Sequence, residues 1–334
     1  SSLPISSVSF RYTQTLSEKL FINTQKIKIR PFCCFFSAEL LLLRFSKERE
    51  MNKNIVSVIV LYAPEKEVLY NIETISKLSH KVIVVVNQCE EEILFQIKKS
   101  TPNAIIIKNE CNIGLSKALN IGIKYVLRYY SNEIAYLAFF DQDSLPIDDN
   151  FFDRMLNVFQ KEEKVGSVGA TVVDKKGVSA KNSSNVHRVE TIITSGSIIP
   201  VKVLQNVGLM DETLFIDYID YEWCLRAIHK GYQIYLSDSK MRHNMGDVFV
   251  KFLWMKKPYH RNKIRQYYIV RNGLIMLGRN YISWKWKCKH LFKLLYRIPM
   301  YFFLSDDKKT TVKNIKDAFN DYFTNKKLYA KYQY

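Results

Sequence analysis

Four short apolar runs constrain this chain more than any other feature: "IVSVIVLYA" at 55–63, "KVIVVVN" at 81–87, "NAIIIKN" at 103–109 and "IAYLAFFD" at 134–141. Each has the length of a strand and is apolar at nearly every position. A strand buried on one face alternates, whereas runs apolar on both faces suit a parallel sheet covered by helices on both sides. Helix-period stretches stand between the runs: "EKEVLYNIETISKLS", "EEEILFQIKKS" and "GLSKALNIGIKYVLRYYS". Strand and helix thus alternate over about 90 residues, which predicts an open, doubly wound α/β sheet. Such sheets bind ligands beyond the carboxyl ends of their strands, where Tyr62, Ala63, Asn87, Asn109 and Asp141 fall.

The second half continues as α/β material. "VGSVGATVVD" and "TIITSGSIIPVKVL" are strand-like, "YIDYEWCLRAIHKG" reads as a helix closed by Gly231, and "YQIYLSD" as a further strand. From about residue 250 the pattern becomes helical, basic and aromatic, with no Pro- or Gly-rich linker before it. The expected division is a catalytic or binding α/β domain over 51–250 and a basic, aromatic helical region over 251–334. No GxGxxG or GxxxxGK[ST] loop is present, which removes support for the ordinary dinucleotide and P-loop functions.

With 334 residues, 47% apolar and 25% charged, the chain can bury a sizeable core, and gross disorder is excluded. Its net charge of +18 is concentrated at one end: residues 251–334 hold 20 Lys and Arg against 4 Asp and no Glu. That asymmetry describes a nearly neutral body carrying a basic region, with nucleic acid and anionic membrane as candidate partners. Cys33, Cys34, Cys89, Cys111, Cys224 and Cys288 show neither a disulfide framework nor a CxxC pair, which fits a reducing, cytoplasmic compartment. Met51 directly precedes the first strand, so residues 1–50 are expected to be an upstream extension or loosely ordered leader. Within them "FCCFFSAELLLL" is flanked by Arg30 and Arg44, has no small-residue cleavage site after it, and is too short to span a bilayer.

Three groups of residues carry chemistry. "DQD" at 141–143 ends a strand with two carboxylates on one side of the chain, because side chains alternate with period two. They repel unless a cation lies between them, and Mg²⁺ or Mn²⁺ takes such oxygen ligands. A solvated turn accounts for the same residues. "LFIDYIDYEWCLRAIHKGY" sets Asp217, Asp220 and Glu222 at the start of an amphipathic helix. Such acids suit the helix dipole, and their apolar bracket also suits a general base. Glu222 and Arg226 are an i, i+4 pair, either supporting that base or forming a surface salt bridge. His243 follows "YQIYLSD" as a candidate metal ligand or a packed histidine.

In this order, "LYAP", "NIGLSKALNIGI", "DQD", "SGSIIP", "DETLFIDYIDYEWCLRAIHKGY" and the downstream His resemble the family 2 glycosyltransferases of the GT-A fold. "FIDYIDYEWCLRA" and "RQYYIVRNGLIM" are similar to the bacterial rhamnosyltransferase branch, and the likeness runs over about residues 55–280. It implies a mixed sheet flanked by helices and an inverting transfer from a nucleotide-sugar. Tyr62 and Ala63 would border the base and Asn87 contact it, with Asn112, Gly114 and Lys117 near the nucleotide. Asp141 would face ribose and metal, and Asp143 and His243 would complete a Mg²⁺ or Mn²⁺ site. Gly196, Glu222 and Arg226 would join the nucleotide-sugar contacts, and Asp220 would be the catalytic base. The family's usual Asp at the end of the second strand is Asn87 here, which keeps an acceptor for a pyrimidine N–H but brings no charge.

"RNYISWKWKCKHLFKLLYRIPMYFFL" at 279–304 interleaves cations with aromatics, as in a helix lying in a membrane interface or a packed helix with a basic outer face. Peripheral attachment at the inner face of the cell membrane would suit a glycan or polyprenyl-diphosphate-linked acceptor in cell-surface polysaccharide synthesis. The alternatives are a non-catalytic sugar-nucleotide-binding protein and a nucleic-acid-binding one. The body shows no nucleic-acid motif, so no nucleic-acid partner is expected.

Overall fold

The computed structural model describes residues 54–173, 185–243, 248–252, 255–259 and 262–330. The extension expected over 1–50 lies outside the described residues. β1 (Ile55–Tyr62), β2 (Lys81–Gln88), β3 (Ala104–Lys108) and β4 (Tyr136–Asp141) are parallel, in the spatial order β3-β2-β1-β4. Between them run α1 (Val68–Leu78), α2 (Glu91–Ser100) and α3 (Leu115–Tyr129). β1 shows why its sequence does not alternate. Val56, Val58 and Val60 pack with Ala118, Leu119, Ile123 and Val126 of α3, while Ile55, Ile59 and Leu61 pack with Val68, Ile72 and Ile75 of α1. Each such fully buried aliphatic side chain contributes roughly 1.5–3 kcal/mol. Gly122 lets α3 approach closely, since a Cβ there would lie 2.5 Å from a Val58 methyl.

Beyond β4 the sheet becomes mixed. β5 (Ser144–Pro146), α4 (Phe151–Lys161), β6 (Val165–Val173), β7 (His187–Val189), β8 (Ser197–Pro200), α5 (Val201–Val207), a 3₁₀ turn (Glu212–Leu214), α6 (Ile219–His229) and β9 (Gln233–His243) follow in chain order. The spatial order is β3-β2-β1-β4-β8-β6-β9-β5, with β7 also on β9. β8 is antiparallel to both β4 and β6, and β5 is antiparallel to β9. Two expectations change here. "VKVL" continues as the helix α5 rather than as strand, because Pro200 ends the ladder and Val201, Val203, Leu204 and Val207 then bury one helical face. The strand expected at "YQIYLSD" runs on to His243, because β5 pairs with its far end. Gly231 does close α6, with φ +87°.

The residues after 247 do not become helical at once. β10 (Val248–Phe252) and β11 (Met255–Tyr259) form an antiparallel hairpin before α7 (Lys263–Gly278), α8 (Trp284–Leu304), α9 (Lys308–Thr324) and α10 (Lys326–Ala330). Asn262 caps α7 by accepting from the backbone N–H of Ile264 and Arg265. Ile269, Val270, Ile275, Met276, Met300 and Tyr301 share a core with Ile219 and Trp223 of α6. Met51–Tyr334 cluster as one compact unit.

Candidate active site

β4 ends at Asp141, opposite Val60 of β1. The middle residue of Asp-Gln-Asp is the anchor. The Gln142 side chain accepts the Tyr62 N–H at 2.9 Å and donates to the Tyr62 carbonyl at 3.2 Å, while its own carbonyl accepts from Asn71. With Gln142 turned toward β1, the two aspartates turn the other way. The chain then enters β5, where Ser144 pairs with His243. Ser195 Oγ accepts the Asp141 N–H at 2.9 Å and lies 2.6 Å from Ser144 Oγ, itself 2.8 Å from His243 Nδ1. That nitrogen is 3.2 Å from Asp143 Oδ1, and Nε2 is 3.9 Å from Asp141 Oδ2.

Asp141, Asp143 and His243 each offer one ligand atom, all within 4.8 Å of one another. Two carboxylates and one imidazole fit a divalent cation. Nδ1 faces a carboxylate, which can only accept, so the proton belongs there and the Nε2 lone pair is left toward Asp141. Burial raises the Asp141 pKa and the Asp143 charge adds to it, against His243 and Arg265. For His243 burial disfavours charge, but the bond to Asp143 and both carboxylate charges outweigh it and raise the pKa. A proton on the imidazole and a cation therefore compete for the same charges.

Asp220 is not among these three. It stands in the first turn of α6, after a loop in which Phe215, Asp217 and Tyr218 have φ of +59°, +64° and +66°. Left-handed backbone costs roughly 1–2 kcal/mol per non-glycine residue, so the surroundings must enforce it. α7 does so. The Asn272 amide donates to the carbonyls of Leu214 (2.7 Å), Ile216 (2.7 Å) and Asp217 (3.0 Å). Arg271 donates to the Thr213 carbonyl at 2.6 Å, and Arg265 holds the Asp217 carboxylate by both Nε and Nη2. On the other side the Phe215 carbonyl accepts the N–H groups of Leu115 and Ser116, capping α3. Gly114, at φ +85°, is required by the Phe215 ring, which would lie 2.5 Å from a Cβ.

So held, the Asp220 carboxyl is half-buried and its pKa is pushed up to about 7. Desolvation is the main cause, opposed by the Tyr221 N–H and reinforced by the charges of Asp217 and Asp141. The site thus has two parts: a cation triad at the sheet and a protonatable carboxylate on a braced loop.

Residues 57–210 match the family model described as Glycosyl transferase family 2. A Shigella flexneri protein described as dTDP-rhamnosyl transferase RfbF is 33% identical over 253 residues, which cover 70% of this chain and 82% of that protein. The chain belongs to glycosyltransferase family 2. It is an enzyme of the GT-A class, and the mixed sheet with Asp-x-Asp at the end of its central strand β4 is the expected architecture. A solved structure described as GalNAc-T7 with UDP, GalNAc and Mn²⁺ aligns with a TM-score of 0.47 and 11% identity, over 81% of this chain and 57% of that one. A likeness so slight carries nothing further.

Within this glycosyltransferase the other expected residues divide. Tyr62 is exposed at the end of β1, and Ala63, at φ +43°, donates its N–H to the Gln88 carbonyl. Lys117 is exposed on the first turn of α3. Asn87 is buried in an amide network: its Nδ2 donates to Asn112 Oδ1 (3.1 Å) and the Gly114 carbonyl (3.3 Å), and its Oδ1 accepts from Asn109 at 2.9 Å. One Oδ1 lone pair is left for a ligand.

Three residues expected at the nucleotide-sugar are buried. Glu222 and Arg226 are 0% exposed and bond each other at 2.8 and 2.9 Å, so they are neither a surface pair nor open to a ligand. Gly196 is buried with both backbone groups in the sheet, donating to Phe139 and accepting from Ala170. A Cβ there would meet Met241 Sδ at 2.5 Å, so the close approach of Met241 requires glycine beside Ser195. Sequence reasoning missed Gln142, Ser195 and the Arg271-Asn272 brace. The one available signal was "RQYYIVRNGLIM", whose polar pair interrupts an otherwise apolar helix.

Proposed function

We propose that this glycosyltransferase catalyses an inverting transfer of rhamnose from dTDP-rhamnose to a hydroxyl of a glycan or polyprenyl-diphosphate-linked acceptor, in cell-surface polysaccharide synthesis. The separation of the Asp141/Asp143/His243 triad from the protonatable Asp220 carries this reading. A Mg²⁺ or Mn²⁺ ion on the triad would act as Lewis acid toward the donor's diphosphate. Asp220 takes the acceptor's hydroxyl proton as the oxygen attacks the anomeric carbon and the bond to the diphosphate breaks. A base near pKa 7 is stronger than an ordinary carboxylate and still ionised in a large share at neutral pH. With Asp220 as the base and, among the described residues, no second carboxylate beside it outside the metal triad and the Arg265-held Asp217, a single displacement is the chemistry supported. Tyr62, Ala63 and the Asn87 network stand at the strand ends for the nucleotide. The choice of rhamnose rests on the Shigella relative.

Nucleotide-sugars screened by thermal protection and donor hydrolysis, each with Mn²⁺, Mg²⁺ or EDTA, test the donor side. dTDP-rhamnose with either metal should protect the wild type, and Asp143→Asn, which removes a direct ligand, should weaken metal affinity by at least the roughly 10- to 100-fold that loss of an outer-shell partner costs. Equal protection with EDTA, or by every nucleotide-sugar alike, would remove the reading.

A lipid-linked acceptor is supported by α8. Trp284, Leu291, Phe292, Leu295, Phe302 and Phe303 are exposed, and at about 100° per residue they share one arc of about 120°. Lys285, Lys287 and Lys289 flank it. No helix among the described residues is long and apolar enough to cross a membrane. The exposed apolar arc and its flanking lysines support peripheral contact at the inner face of the cell membrane, where each basic residue near anionic lipid adds about 1 kcal/mol. Phosphatidylglycerol-containing vesicles should sediment the wild type and release a Phe292→Asp/Phe303→Asp variant. Equal retention of both would exclude α8 as the contact.

A further inference from the structure

Tyr218 and Tyr221, the neighbours of Asp220 and Ile219 at the start of α6, line a cavity of about 110 Å³. Its facing wall is one side of α8: Trp286, Lys289, Lys293 and Arg297. None of Asp141, Asp143 and His243 lines it. Asp220 itself lines a smaller adjoining hollow. The segment leading into β8 links the two, with Thr191 in the larger and Ile192 in the smaller.

This cavity is unbalanced in charge and in hydrogen bonds. Tyr218 is 5% exposed, and its hydroxyl has no hydrogen-bond partner among the described residues. Folds rarely retain such a group without use for it. The groups acting most on the Arg297 guanidinium are Tyr218, Tyr301, Tyr221 and Tyr296, and no carboxylate is among them. Nor does Arg297 form an ion pair with any described residue. His290, stacked on Trp286 at 4.6 Å, is held neutral: burial and the charges of Lys293 and Arg297 push its pKa down to about 4. Among the described residues, the single acid lining the cavity is the exposed Glu190. Three cations, a free phenolic donor and aromatic walls complement a small, multiply charged oxyanion, and guanidinium is the group best matched to phosphate.

We propose that the cavity between α6 and α8 is an acceptor subsite for a phosphoryl group, held by Arg297, Lys289 and the Tyr218 hydroxyl, from which the acceptor's hydroxyl reaches Asp220. The assignment to the acceptor rests on the glycosyltransfer reading; the affinity for phosphoryl oxygen does not. The donor's diphosphate has its own partner in the cation triad, so the two anions are bound on different principles. One takes a metal and the other takes side-chain cations.

The test is a titration of the full chain with inorganic phosphate in EDTA, without nucleotide-sugar, by calorimetry and thermal shift. Saturable binding is expected, weakened about tenfold or more by Lys289→Gln or Arg297→Gln and unchanged by Asp143→Asn. Tyr218→Phe gives a sharper signature, because it deletes a buried hydroxyl without a partner: the phosphate-free protein should melt higher while phosphate binds more weakly. Absence of phosphate binding, or binding unaltered by both cation variants, overturns the proposal. So does binding lost in Asp143→Asn. Because no donor is present, a wrong donor assignment leaves this outcome untouched. Vesicles of phosphatidylcholine with phosphatidylglycerol then separate the sources. Displacement by phosphate assigns the pocket to a lipid's phosphoryl group, and vesicle binding indifferent to saturating phosphate assigns it to a soluble acceptor's.

Discussion

Asp220→Asn is expected to lower turnover by about 10²–10⁴-fold, the usual contribution of a positioned general base, while leaving metal-dependent donor binding in place. The substitution keeps the size of the side chain and its acceptor for the Tyr221 N–H, at 2.9 Å in the native loop. What disappears is the ability to take a proton. The wild-type pH profile carries a second mark. A base works only when deprotonated, so kcat/KM should fall as pH drops below about 7, where an ordinary carboxylate would stay active to near 4. Part of the elevation comes from the Asp141 charge, so a cation on the triad moves this limb to lower pH.

Stability should move the opposite way. The folded pKa of Asp220 is raised, so its contribution to stability is complete below the unfolded value and is lost as pH rises through about 7. Asp220→Asn should therefore melt higher than wild type at pH 8 and no higher at pH 4. Initial rates across pH, with melting curves on the same samples, decide the matter. Wild-type turnover in the variant, or a profile flat from pH 5 to 8, would sink the assignment of Asp220 as base.

Much of this arrangement was legible because it depends on local pattern. β1, β2 and β4 are buried on both faces, and that writes itself as unbroken apolar runs. Asp141 and Asp143 were legible for a related reason, since period two puts them together without knowledge of any partner. His243 was only half legible: its position at the triad depends on β5 pairing with β9, a contact between residues about a hundred positions apart. The loop before Asp220 was not legible at all. Nothing in "FIDYID" announces three residues at positive φ, because two of them, Phe215 and Tyr218, are aromatic and do not choose that backbone, and one Asp between them is too common a residue to signal it. Asn272 and Arg271 impose it from a helix more than 50 residues away in the chain. Burial of Glu222 and Arg226 was hidden likewise, since i, i+4 spacing is the same on a wet face and a dry one.

That buried pair leads to the largest stability effect in the molecule. Arg226→Met is expected to destabilise the fold by about 3–5 kcal/mol, the cost of leaving a desolvated partner charge uncompensated. The guanidinium does more than neutralise Glu222. It donates to the carbonyl of Val207 at 2.7 Å and to that of Leu209 at 2.6 Å, so it ties α6 to the end of α5. Glu222 in turn accepts from the Tyr281 hydroxyl, between α7 and α8. One ion pair therefore joins the Asp220 helix to the end of α5 and to the basic helical region. Met fills similar volume but leaves a buried carboxylate without its countercharge and takes the guanidinium donors from two carbonyls. Glu222→Leu/Arg226→Met separates charge from packing. If the cost is an unpaired charge, the double variant should recover a large part of the loss, because well-packed apolar replacements of buried ion pairs are often tolerated. Denaturant midpoints of the wild type, both single variants and the double variant provide the cycle. A single-variant cost below about 1 kcal/mol would mean that the pair behaves as a solvated one. α6 would then owe its position to Trp223 and the apolar core alone.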